Sequence, residues 1–122
     1  MIIELTCEEL EFVEQYLETA QWADPAEDEW FDDDGVAIGV PVLCPTWERE
    51  AIIDCLAFLS KFECYMGEGM IKAAAHDLYL SRNGHGTGFW DNHDLRYPSW
   101  LAEKMQRFAE ALGEHTTMYD VE

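Results

Sequence analysis

The chain has 122 residues, 48% of them hydrophobic and 13% aromatic, which suits one domain with a real core and excludes a disordered acidic tail. Acidic residues outnumber basic ones 26 to 7, a formal net charge of −19 that opposes nucleic acid and anionic membrane and favours basic partners. No apolar run approaches the roughly 20 residues of a membrane span, and the start of the chain lacks the basic residues of a signal peptide, so a cytoplasmic protein is expected.

The charge is segregated along the chain. Residues 1 to 48 hold 14 Asp or Glu and no Lys or Arg, whereas the rest carries 12 acids and all 7 bases, starting at Arg49. Thr6 and Glu9 stand in capping-box register ahead of Cys7 to Trp22, where Leu10, Val13, Leu17 and Ala20 recur at helical spacing and predict an amphipathic helix. Its other side carries Glu4, Glu8, Glu11 and Glu18, with Glu14 nearby, in steps of one turn or about 5 to 6 Å. A solvated face and a partner-facing stripe both fit; wet faces usually interleave lysine, and none is present here.

Residues 24 to 35 form an acidic loop, Asp24, Glu27, Asp28, Glu29, Asp32, Asp33 and Asp34, interrupted by Trp30 and Phe31. Three successive aspartates suggest calcium, but the ligand alternation of an EF-hand loop, its sixth-position glycine and its closing glutamate are missing, so no metal is expected. Trp30 and Phe31 either pin the loop to the core or stand as exposed anchors of a binding surface.

Val36 to Leu43 is apolar but contains Gly39 and Pro41, which predicts an edge strand or an extended connection. A long helix follows from Pro45-Thr46, with Thr46 as N-cap and Glu48 and Glu50 in its first turns. Ile52, Cys55, Leu59 and Phe62 form its stripe, and Ile53, Leu56, Ala57 and Phe58 widen that stripe enough to predict the central helix. The four cysteines, Cys7, Cys44, Cys55 and Cys64, lie 37, 11 and 9 positions apart, which fits no paired-cysteine zinc pattern and points to reduced, mostly buried thiols.

Gly67 and Gly69 break the long helix, and Met70 to Ala75 gives a short further piece. Leu78 and Leu80 alternate with Tyr79 and Ser81 and predict a strand over 77–82, Asn83-Gly84 opens a turn, and Phe89-Trp90 resumes a second strand. Gly84, Gly86 and Gly88 leave the connection without side-chain cover, so Asn83, Gly84, His85 and Gly86 are a candidate recognition loop. A last helix starts at Pro98 or Ser99, turns Leu101, Met105, Phe108 and Leu112 inward and ends at Gly113, and the tail, 116–121, alternates like a third strand paired with the hairpin. The expected fold class is α+β: a small antiparallel sheet, hairpin 77–91 plus strand 116–121, covered by about four helices in a single domain spanning 1–122.

Histidines beside acids, His76 with Asp77, His85 in the glycine turn and His93 with Asp94, suggest metal binding or acid/base chemistry. Adjacent strand residues point to opposite faces, no metallohydrolase helix motif is present, and Gly-His-Gly-Thr-Gly lacks the lysine and helix of a phosphate-binding loop. The structural reading needs fewer assumptions: glycines make the turn, Arg82 and Asp91 pair across the hairpin, and His76 hydrogen-bonds at its base. Neither enzyme activity nor a cofactor is expected, and a metal-dependent enzyme ranks third among the readings.

Residues 76 to 91 read His-Asp-Leu-Tyr-Leu-Ser-Arg-Asn-Gly-His-Gly-Thr-Gly-Phe-Trp-Asp. This stretch resembles the signature of a family of small bacteriophage-encoded proteins, close to His-Asp-Phe-Trp-Leu-Thr-Arg-Asn-Gly-His-Gly-Ala-Gly-Phe-Trp-Asp. His76, Asp77, Leu80, Arg82, Asn83, Gly84, His85, Gly86, Gly88, Phe89, Trp90 and Asp91 match, whereas Leu78, Tyr79, Ser81 and Thr87 depart conservatively. The likeness extends more loosely to Tyr16 through Trp22, Asp54-Cys55 and Phe62, and it carries no catalytic residue with it. It implies a phage protein acting in the cytoplasm of an infected bacterium. Joined to the acidity, it leads to a binding protein that blocks a host nucleic-acid-binding defence machine, a CRISPR effector or restriction system, by presenting carboxylates in place of phosphates. The alternative is a small regulatory or scaffold protein without mimicry. On the leading reading, Glu4, Glu8, Glu11, Glu14, Glu18, Asp24, Glu27, Asp28, Glu29, Trp30, Asp32, Asp33 and Asp34 face the basic surface of the partner.

Overall fold

The structure, a computed structural model, describes residues 5–26, 34–35, 39, 41–85, 88–90 and 96–121. These form helices α1 (Cys7–Ala23), α2 (Pro45–Phe62), α3 (Ile71–Arg82) and α4 (Ser99–Leu112) and strands β1 (Pro41–Leu43) and β2 (Tyr119–Val121). Two short 3-10 turns, Glu63–Tyr65 and Glu68–Met70, join α2 to α3 around Gly67.

Helix α1 starts as its sequence predicts. The Thr6 hydroxyl accepts the Glu9 N–H at 3.1 Å and the Glu9 carboxylate accepts the Thr6 N–H at 2.8 Å, so two otherwise orphaned donors are satisfied reciprocally. The inward face is Phe12, Val13, Tyr16, Thr19 and Ala20, rotated from the expected stripe, and it leaves Leu10 47% exposed. Helix α2 begins with Pro45 at its first position and Cys44 as N-cap, ahead of the expected Thr46, because proline lacks the N–H that a first turn leaves unpaired. It buries Trp47, Ala51, Cys55, Phe58, Leu59 and Phe62 but leaves Ile53 56% exposed, so it is one-sided and not the central helix.

The central position belongs to α3, which packs against both α1 and α4 and buries Ile71, Ala74, Ala75, Asp77, Leu78, Tyr79, Leu80 and Arg82. The expected strand over 77–82 is therefore the C-terminal half of this helix. Residues 77–80 are buried all round the helix, so this part has no polar stripe, its sequence loses the 3.6-residue period, and a chance alternation of leucines then reads as a strand. Asn83 is its C-cap, and Gly84, at φ 71°, lets the chain leave the helix. The same Asn-Gly pair that predicts a hairpin turn thus terminates a helix.

The sheet is antiparallel, as expected, but built from other strands. Pro41 pairs with Val121, Val42 with Asp120 and Leu43 with Tyr119, and the Cys44 N–H extends the ladder to the Met118 carbonyl at 2.9 Å. The C-terminal strand thus joins the apolar run before α2, where an edge strand is predicted, and not residues 77–91. Four helices with a small antiparallel sheet keep the α+β class.

Phe58 organises the core. Its ring lies 5.4 Å from both Phe12 and Phe89 and 4.8 Å from Phe62, which ties α1, α2 and the segment after α3 together. Phe89 is fully buried, whereas its neighbour Trp90 is 46% exposed. All four cysteines are free; Cys55 alone is buried, Cys44 is partly covered, and Cys7 and Cys64 are exposed, which corrects the expectation of mostly buried thiols. No helix among the described residues is long and apolar enough to cross a membrane.

Candidate functional site

The outward side of α1 follows from its inward side. Phe12, Tyr16 and Ala20 face the core, so Glu14 and Glu18 stand exposed with Glu11 half-buried about one turn before Glu14, and Glu8 lies exposed at the helix start. Beyond the helix the acidity continues: Glu63, after α2, has its pKa raised by a carboxyl-to-carboxyl hydrogen bond with Glu8 and by the nearby charges of Glu8 and Glu9. Crowded carboxylates of like charge each favour the protonated form of the other, which is the direction of the Glu63 shift. Asp34 is exposed as well. Glu4, Glu27, Asp28, Glu29, Trp30, Asp32, Asp33 and Gly86 lie outside the described residues.

Asp24, at the C-cap of α1, is the member of the acidic set with a second task. Its Oδ2 accepts the Tyr79 hydroxyl at 2.5 Å and lies 2.9 Å from His85 Nε2, and its carbonyl accepts the Tyr119 hydroxyl at 3.0 Å. Burial and the hydrogen bond to Asp24 push the Tyr79 phenol up to about 12, so it stays a donor. Tyr79 also accepts the Thr117 N–H at 3.1 Å, and the single Thr117 hydroxyl proton serves either Tyr79 or the Ala20 carbonyl, at 2.6 and 2.8 Å. One polar knot thereby joins the end of α1, the last turn of α3, the segment after it and the chain leading into β2.

Two clefts open beside this knot. One, about 330 Å³, is lined by Trp22, Ala23, Leu80 and His85; the other, about 460 Å³, by Ala23 to Ala26, Thr116, Thr117 and Tyr119. Trp22 is 70% exposed, and its ring rests 5.7 Å from that of His76, whose Nδ1 lies 2.9 Å from the Thr19 hydroxyl. The structure brings together four residues of the predicted sets, Asp24, Asn83, Gly84 and His85, around the end of α3. Asn83 serves the fold: its amide donates to the Tyr79 carbonyl at 3.0 Å and its oxygen accepts the His115 N–H at 2.8 Å.

The order of residues does not say which partners Arg82 meets. Its side chain is 2% exposed and donates to Asp54 at 2.8 Å, to the Tyr16 hydroxyl at 3.3 Å and to the carbonyls of Gly113 and Leu112 at 2.8 and 3.3 Å. A cation therefore closes the negative end of α4 while joining α1, α2 and α3. The expected pairing of Arg82 across a hairpin is replaced by this one, and Asp91 lies outside the described residues. Asp77, 1% exposed, accepts the Tyr97 hydroxyl at 2.7 Å and faces Arg96 at 3.3 Å. Burial raises its pKa against the pull of Tyr97 and Arg96. The signal for both was available in principle, since an Asp and an Arg inside an apolar run demand partners.

Chemically, the knot orients an imidazole with a carboxylate and keeps a phenol protonated, while its hydroxyls are committed to one another. Among the described residues no group of three or more His, Cys, Asp or Glu stands close enough to hold a metal, and His93 and Asp94 lie outside them. No family model, curated protein or solved structure matches the chain.

Proposed function

We propose that this protein is a phage-borne inhibitor that binds the basic surface of a host nucleic-acid-binding defence machine, a CRISPR effector or restriction system, with carboxylates standing in for phosphates. The observation that carries this reading is the lysine-free acidic side of α1, Glu11, Glu14 and Glu18 with Glu8 beside them, continued by Glu63. A sequence selected for solubility alone would disperse these charges, because crowding them costs self-repulsion in the fold. The resemblance of residues 76 to 91 to a phage family supplies the biological setting.

The test is competition and salt dependence against a candidate effector. Amide replacement of Glu8, Glu11, Glu14 and Glu18 is expected to slow association, and binding by the unaltered protein is expected to weaken steeply with salt, since the screening length falls from about 10 Å at 0.1 M to about 3 Å at 1 M. Amide replacement of Glu103, Glu110 and Glu114 is expected to matter less, because Lys104 and Arg107 stand among them and Arg107 already pairs with Glu103. Equal losses from the two sets would overturn mimicry. They would favour the scaffold reading, which has one observation of its own: Tyr65 and Trp100, 50% and 51% exposed, stack edge to face at 5.5 Å on another part of the surface.

A further inference from the structure

We propose that the cleft under Trp22 is the recognition point of the acidic surface and that it takes an arginine side chain of the partner, an inference that rests on the partner being basic. Among the described residues Trp22 is the most exposed of the large apolar side chains, although burying an indole is worth more than burying almost any other group. It stands one turn beyond Glu18, on the carboxylate side of α1. His76 backs its ring at 5.7 Å and is itself fixed to Thr19, so the indole is a supported wall rather than a loose side chain. Across the cleft stands His85, held by Asp24, with Ala23 and Leu80 completing the lining.

That arrangement suits a guanidinium on three counts. An indole wall attracts a cation through its π face, and the flat, weakly hydrated guanidinium stacks on aromatic rings better than a compact ammonium does. Ala23, with the edge of the buried Leu80 behind it, offers apolar surface for the methylene stem. Neither Glu18 nor Asp24 lines the cleft, but Glu18 stands one turn before Trp22 on α1 and Asp24 holds His85 at 2.9 Å, so both add negative charge close to it. Trp and Arg are also the residue types that most often carry interface energy.

The experiment uses the full chain with two probes, a nona-arginine and a nona-lysine peptide, titrated at one ionic strength while the indole N–H resonances are followed. The unaltered protein is expected to bind the arginine peptide about five-fold more tightly and to shift the resonance of Trp22, the magnitude of a part-exposed cation–π contact. Trp22→Leu is expected to erase the preference while both peptides still bind with equal, salt-sensitive affinity, and Trp100→Leu is expected to keep it. Equal affinity for the two peptides in the unaltered protein, or a preference that survives Trp22→Leu with unchanged melting, would overturn the arginine cleft and leave the acidic reading standing. Binding of neither peptide would overturn both.

Discussion

Arg82 shows most directly how one side chain can decide the fold. Its guanidinium satisfies two helix-end carbonyls, a carboxylate and a phenol at once, within a site where the side chain is 2% exposed. Replacing it by methionine keeps much of the volume but strands Asp54 and the carbonyls of Leu112 and Gly113. The expected cost is about 3 to 5 kcal/mol, the penalty for breaking a buried ion pair from one side, read as a fall in the denaturant midpoint. Lysine keeps the charge but lacks the fork that reaches several acceptors, so Arg82→Lys should recover only part of the loss. A methionine variant as stable as the original protein would mean that Arg82 does not hold the four helices together.

At the scale of elements, α3 is organised by how it ends. Gly84 sits at φ 71° with open space where a Cβ would be, so a side chain there meets a backbone penalty and no clash. Gly84→Val should therefore lower stability by about 1 to 3 kcal/mol, seen as a lower melting temperature with the far-ultraviolet helical signal retained. Gly88 differs in cause: a Cβ there would fall 1.8 Å from the Ser81 hydroxyl oxygen, which accepts the Phe89 N–H at 2.9 Å and sets the close return of the chain over α3. That return seats Phe89 on Phe58 and completes the core. Unchanged melting of Gly84→Val would contradict the left-handed exit from the helix.

For the whole molecule the governing quantity is its −19 charge. The buried Asp77 and the crowded Glu63 both have raised pKa values, Asp77 chiefly through burial and Glu63 chiefly through its hydrogen bond with Glu8. A carboxyl that binds its proton more tightly in the fold contributes stability that is full below its unfolded pKa and is lost as pH rises through the folded value. For Asp77 that loss begins from about its ordinary 3.8 and continues upward. Stability should thus decline as pH rises above that ordinary value, and Asp77→Asn, which keeps an acceptor for Tyr97, should flatten the decline. Denaturant melts at a series of pH values check this; a variant with the same slope as the unaltered protein would remove Asp77 as a contributor.

Charge segregation, the capping box at Thr6, the edge-strand character of the run before α2 and the last helix ending at Gly113 were all legible in the sequence, because each depends on residues close together in the chain. Cap chemistry, proline and glycine act locally, and an amphipathic helix at the surface prints its period in the order of residues. Which helix is central was not legible, because burial on every side erases that period, and Leu78, Tyr79 and Leu80 then read as well for a strand as for a helix. Nor could the order of residues reveal that Asp24, Tyr79, His85 and Thr117 meet, or that Arg82 serves Leu112 and Gly113, since those contacts join positions far apart in the chain and exist only once the helices have packed. The sequence by itself determined the acidic field and most of the elements; the packing of α1 and α4 against α3 decided which acids are fixed in the polar knot and which, with Trp22, face outward.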